Sequence, residues 1–136
     1  GISCAAVNYR RLGKESSKLP EPVYDVARAV QFLRYHASAW NIDKHRVILI
    51  GGSFGGTISM FLNNYDDYAD PSSEDPVAHE STRPTGVLTI DSATSIDPKQ
   101  LEPWFGKKAL EWPLIYKAVG EDTVANMMKH YDDHAW

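Results

Sequence analysis

The stretch VILIGGSFGGTISMFL, from Val47 to Leu62, limits what this chain can fold into more than any other. Its opening apolar run, Val47–Ile50, reads as a short strand buried on both faces. Gly51, Gly52, Gly55 and Gly56 then surround Ser53. Apolar residues at Ile58, Phe61, Leu62 and Tyr65 follow with the spacing of an amphipathic helix. A serine between such a strand and such a helix sits on a sharp turn. Its backbone is expected to be strained and its hydroxyl to stand clear of the sheet. The residues two before and two after it come close together, so a Cβ there would clash and glycine is needed. The Phe54 N–H opens the helix and points at negative charge developing beside the serine. G-x-S-x-G arises by chance in about 5% of chains this long at ordinary glycine and serine usage. Demanding the strand before it and the helix after it brings that below about 1%. The other uses of such a turn are a phosphate cradle and a plain helix cap. Neither G-x-G-x-x-G nor G-x-x-x-x-G-K-[ST] is present to support the phosphate reading.

The flanking segments place this turn in an alternating pattern. Ile2–Tyr9 has the apolar content and length of a strand, and Arg10–Pro22 is a charged loop ending in two prolines. Val23, Val26, Ala27, Val30, Leu33 and Ala37 mark one face of a helix, with Pro22 suited to its first turn. Asn63–Gly86 is a long acidic connection rich in Pro and Ser, expected to be either a functional excursion or mobile. Val87–Ile90 reads as a further strand, and helical signals follow near Gln100–Phe105, Lys107–Ala118 and Asp122–Tyr131. Strands alternating with helices imply an α/β fold, with parallel strands and flanking helices. Ligands in such sheets bind outside the carboxyl ends of the strands, which is where Ser53 lies.

Composition narrows the function classes. The 136 residues are 43% hydrophobic and 24% charged, which suits a globular domain with a real core. The net charge of -4 and the lack of a basic stripe argue against nucleic acid as a partner. No apolar run approaches the roughly 18 residues of a membrane span. Cys4 stands alone, which excludes an internal disulfide and a multi-cysteine zinc site. Composition carries no signal of compartment or oligomeric state. The opening at Gly1, inside what reads as a strand, makes an internal piece of a longer protein the expectation.

Four segments in order resemble the α/β-hydrolase superfamily, and within it the carboxylesterase/lipase group related to hormone-sensitive lipase and to feruloyl-esterase-like enzymes. VNYRR (Val7–Arg11) resembles that group's V-x-Y-R strand end. LPEPVYDVARAVQFLRYHA resembles its P-x-P-x-x-x-D-x-x-x-A-x-x-x-L helix, with Asp25 at the acidic position. WNIDKHRVILIGGSFGG resembles I-D-x-x-R-I-x-L-x-G-x-S-x-G-G, and TGVLTIDSATS the strand after the nucleophile helix. The match covers Gly1 to about Ser95. The group often reads G-D-S-A-G-G where this chain has G-G-S-F-G-G. A glycine and an aromatic around the serine also resemble serine peptidases of the prolyl-oligopeptidase type.

The resemblance implies the central portion of one α/β-hydrolase domain over residues 1–136, with a cap-like helical region from about 96 to 136. It implies a serine hydrolase acting on a small-molecule carboxylic ester through an acyl-enzyme on Ser53, with no cofactor and no metal. Phe54 would supply a backbone oxyanion donor, and Gly51, Gly52, Gly55 and Gly56 would form the elbow. The alternatives are a peptidase of the type just named and a non-catalytic binding protein on the same fold.

A triad in this superfamily runs serine, acid, histidine along the chain. Asp91, at the end of the Val87–Ile90 strand, occupies the place where some lipases of the superfamily carry the acid; it could instead start a loop by bonding its own backbone. His36, His45, His79, His130 and His134 do not fall where the family's histidine does. His130 and His134, four apart on an expected helix, read as a solvated face more readily than as a metal pair. The group's upstream His-Gly-Gly segment would precede Gly1, and a strand between Ile2–Tyr9 and Val47–Ile50 would be missing with it. The 136-residue chain alone is therefore expected to be poorly stable and inert. In this superfamily the region after the third strand often supplies a cap over the acyl site, so Trp104, Phe105, Trp112, Leu114 and Tyr116 are expected either to be ordinary core or cap packing or to contact the substrate directly.

Overall fold

A computed structural model describes residues 1–13 and 17–134. Residues 14–16 of the Arg10–Pro22 loop, and residues 135 and 136 of the expected cap-like region, lie outside the described residues. The chain forms two compact units, one of Gly1–Tyr9 with Val23–Ala93 and one of Arg10–Pro22 with Thr94–Trp136.

The first unit is built on two parallel strands, β1 (Ile48–Gly52) and β2 (Gly86–Ile90). Their register pairs Ile48 with Gly86 and Gly52 with Ile90, so both strands end together. At the entry to the ladder, the Thr85 N–H donates to Val47 O at 2.7 Å and the Thr85 hydroxyl to His45 O at 2.9 Å. Helix α2 (Phe54–Asn64) packs on one face of both strands. It buries Ile58 and Leu62, each 1% exposed. The other face was expected to be covered and is open: Ile48, Ile50, Leu88 and Ile90 alternate onto it and are all exposed. With no helix packed there, period-two alternation sends these side chains to water.

Helix α1 (Glu21–Tyr35) carries Glu21 in its first turn and Arg34 in its last, matching the helix dipole at both ends. Val23, Val26, Ala27 and Val30 are buried along its inner face. Beside it the acidic connection forms an organised structure. Gln31, itself buried, donates to the carbonyls of Ala78 at 3.1 Å and Glu80 at 2.9 Å. Arg28 pairs with Asp75, and Arg34 donates to Arg83 O. Asp67 closes the base of the excursion, accepting from the Thr82 N–H at 2.7 Å, the Thr82 hydroxyl at 2.9 Å and the Ala69 N–H at 3.1 Å. Burial alone would raise the Asp67 carboxyl, but these bonds, with one from Ser81, hold it below its ordinary value.

Two expectations for regular structure fail here, for separate reasons. Ile2–Tyr9 forms no strand, and Ile2 is 93% exposed. Strand propensity becomes a strand only with a partner for its backbone groups, and the segment makes no ladder with any described residue. The helix expected over Lys107–Ala118 is broken by Pro113 into a 3₁₀ turn (Lys107–Glu111) and α4 (Pro113–Ala118). Trp112, ahead of the proline, is extended at φ -65° and ψ 118°.

In the second unit α3 (Pro98–Phe105) is capped by Asp97, whose carboxylate accepts from the Lys99 N–H at 2.8 Å. Helix α5 (Val124–Lys129) is capped by Thr123. Leu110, Ile115, Ala118, Val119 and Met127 are the buried apolar residues around these helices. Trp104, Phe105 and Trp112 are exposed, so they are not the core aromatics that one reading expected. No helix among the described residues is long and apolar enough to cross a membrane.

Candidate active site

The turn after β1 holds Ser53 at φ 50° and ψ -127°, a combination an L-residue rarely adopts. Such a conformation costs on the order of 1–3 kcal/mol and persists only where the surroundings enforce it. Those surroundings are visible. The Ser53 N–H donates to Ile90 O at 2.9 Å, extending the β1–β2 ladder into the turn. Its carbonyl accepts from Gly56 N at 3.0 Å and Thr57 N at 3.2 Å, starting α2. A Cβ on Gly51 would lie 2.3 Å from Gly55 C, and one on Gly56 would lie 1.9 Å from Ser92 Oγ. Gly51 and Gly56 are thus the positions where a side chain has no room. Gly52 and Gly55 have space for one, with nothing nearer than 3.8 and 3.5 Å respectively.

Ser53 occupies the N-cap position of α2, yet its side chain makes no capping bond. The residue is exposed, and its hydroxyl has no partner among the described residues. The plain helix-cap role is therefore unfilled. The N–H groups of Phe54 and Gly55 are likewise without a partner among the described residues, and they open α2 where its dipole is positive. A free hydroxyl and two free N–H groups at one helix N-terminus can attack a carbonyl and hold the oxygen that becomes negative.

Asp91 follows β2 with φ 51°, the counterpart of Ser53 on the neighbouring strand. The register Gly52–Ile90 puts the two residues side by side at the carboxyl ends of the sheet. The Asp91 carboxylate is exposed and makes no hydrogen bond or ion pair among the described residues. The alternative in which it closes its own loop does not hold. That loop is fixed instead by the Ser92 hydroxyl on Ile90 O at 3.1 Å and by the Thr57 hydroxyl on Ala93 O at 2.8 Å.

The histidines are engaged elsewhere. His36 stacks on Trp40 with ring centroids 5.1 Å apart. His45 lies ahead of β1, at the end opposite Ser53, and His79 Nε2 meets Ser73 O at 2.8 Å. His130 and His134 do not share a helix face, because α5 ends at Lys129. His130 Nδ1 and His134 Nε2 approach Glu121 Oε1 at 2.9 and 3.4 Å. Among the described residues no group of three or more His, Cys, Asp or Glu could hold a metal ion.

One contact at the turn is not implied by the motif that contains its residue. The Tyr9 ring meets the Phe54 ring edge-on, with centroids 6.1 Å apart. The pair is separated by 45 positions in the chain, and neither periodicity nor motif spacing connects them.

Comparison with known proteins places the fold. The family model BD-FAE matches residues 1–122. Endo-1,4-beta-xylanase B of Butyrivibrio fibrisolvens is 38% identical over 69 residues, covering 50% of this chain and 11% of the xylanase. The crystal structure of an acetyl ester-xyloside bifunctional hydrolase from Caldicellulosiruptor lactoaceticus superposes with a TM-score of 0.59 at 26% identity. That match covers 82% of this chain and 37% of the hydrolase. The chain thus spans a small part of one relative and about a third of the other.

Proposed function

Because this chain belongs to the BD-FAE family of feruloyl-esterase-like α/β-hydrolases, we propose that it carries the nucleophile of a carboxylic ester hydrolase, with Ser53 as that nucleophile. The observation that carries the reading is the strained, exposed Ser53, whose hydroxyl neither caps α2 nor bonds any described residue. Ser53 Oγ attacks the ester carbonyl as its proton passes to a general base, which returns it to the departing alcohol, and the carbonyl oxygen takes the negative charge. The Phe54 N–H donates to that oxygen. Collapse of the tetrahedral intermediate expels the alcohol and leaves an acyl-enzyme, which water then hydrolyses. Gly51 and Gly56 let the turn close, since a Cβ at either would clash.

A serine needs a base and an acid to orient that base. Asp91, beside Ser53 at the sheet's carboxyl end and without a bonding partner, is the acid that this reading offers. Asp91→Asn is expected to lower kcat by about 10⁴-fold; an unchanged kcat would assign the acid to another carboxylate. The helices from about residue 96 to 136 serve in the same reading as a cap-like region of one hydrolase domain. The relatives named above point to an acyl ester on a xylose-containing carbohydrate as the substrate class. The test is hydrolysis of p-nitrophenyl acetate by the full-length protein, lost in Ser53→Ala.

A further inference from the structure

We infer that Tyr9 is a further catalytic residue, its hydroxyl donating a hydrogen bond to the reacting ester oxygen beside the Phe54 N–H. The inference rests on the reading of Ser53 as nucleophile. Four observations carry it. First, the Tyr9 ring is held edge-on against Phe54 at 6.1 Å between centroids, so its place is set by the residue whose N–H flanks Ser53. Second, Tyr9 Oη lies 3.5 Å from where a Cβ on Gly55 would stand. The hydroxyl therefore lies beside Gly55, in the first turn of α2. Third, the hydroxyl has no hydrogen-bond partner among the described residues, although the residue is half-buried. Fourth, a phenylalanine would make the same ring contact. What tyrosine adds is one donor, placed at the end of the helix where an oxyanion would form.

The absence of a side chain at Gly55 fits the same picture. Any Cβ there would stand in contact with Oη and narrow the space between the hydroxyl and the helix terminus. Oxyanion sites work through donors that converge on one oxygen before charge develops. The Phe54 N–H and the Tyr9 O–H approach that oxygen from the helix terminus and from the chain packed across it. The tyrosine acts only as a hydrogen-bond donor.

The experiment compares Tyr9→Phe with wild type in the full-length protein, on p-nitrophenyl acetate and against a trifluoromethyl ketone that forms a tetrahedral adduct. The expected result is a kcat lower by roughly 10- to 100-fold with KM changed less than about twofold. Affinity for the ketone should fall by a similar factor, with the melting temperature unchanged. A packing role alone would leave kcat and ketone affinity at wild-type values in Tyr9→Phe, and that result would overturn the inference. Ser53→Ala separates the two levels of the argument. If it remains fully active, the nucleophile reading fails and takes Tyr9 with it. If it is dead while Tyr9→Phe keeps wild-type kcat, only the role of Tyr9 fails.

Discussion

The turn around Ser53 and the acidic excursion from Asp66 to Arg83 belong to the same compact unit and treat their polar groups in opposite ways. In the excursion Asp67, Asp70, Asp75, His79, Glu80 and Thr82 all spend their side chains on bonds within the fold. Asp67 accepts three of its bonds from Thr82 and Ala69, Asp75 caps a 3₁₀ turn while pairing with Arg28, and buried Gln31 holds two carbonyls within 3.1 Å. Its loop conformation is enforced by satisfied bonds. At the turn the backbone is fixed just as firmly, by Ser53 N on Ile90 O and by the Gly51–Gly55 contact, yet the Ser53 hydroxyl, the Asp91 carboxylate and two N–H groups are left open. Two residues at positive φ stand beside each other there. A region that stores strain and withholds its polar groups from the fold leaves them open to a ligand; one that spends most of them uses them for its own stability.

The largest expected effect breaks the turn at its tightest point. Gly51→Ala and Gly56→Ala each place a Cβ within 2.3 Å of a neighbouring atom. Each should cost about 3 kcal/mol in urea unfolding, whereas Gly52→Ala, which has room, should change stability by less than about 0.5 kcal/mol. Equal effects at the three positions would contradict the packing described. Next comes the excursion. Asp67→Ala strands the Thr82 and Ala69 donors and should cost about 1–2 kcal/mol without changing ester turnover.

Acidification tests the same group. Its folded value lies below the ordinary 3.8, so its stabilisation is complete above that pH and is lost as pH falls through the lowered value. Asp67→Ala should therefore flatten the acid limb of a stability–pH profile below about pH 4. A limb as steep as the wild type's would assign acid lability to other carboxylates. The smallest effect is relief of strain. Ser53→Gly should raise stability by about 1 kcal/mol while eliminating turnover. A loss of stability in Ser53→Gly would show that the turn is not strained by its serine.

The turn was legible in the sequence because its causes are local. Strand, glycines, serine and helix are contiguous, and the steric demand at Gly51 acts across four residues. Even so, the sequence placed the clash at Gly51 and Gly55, whereas the structure puts it at Gly51 and Gly56 and leaves room at Gly55. The order of the excursion was not legible, since its satisfying groups come from Gln31 on α1 and from Thr82, 15 positions after Asp67. Ile2–Tyr9 has strand composition, but pairing is a tertiary event that no local pattern guarantees. The break before α4 is legible in Pro113, which cannot continue a helix begun at Lys107. Tyr9 is part of the V-x-Y-R segment, but its contact with Phe54 joins distant segments and no local pattern implies it.

The central claim is that Ser53 is held strained and unpartnered because it is a nucleophile. Treating the full-length protein with a fluorophosphonate and mapping the adduct by mass spectrometry tests this most directly, since the probe bonds only an activated serine. The account predicts stoichiometric labelling at Ser53 and none in Ser53→Ala. A folded protein that takes up no label at Ser53 would make the turn a binding element on a hydrolase fold and contradict the claim.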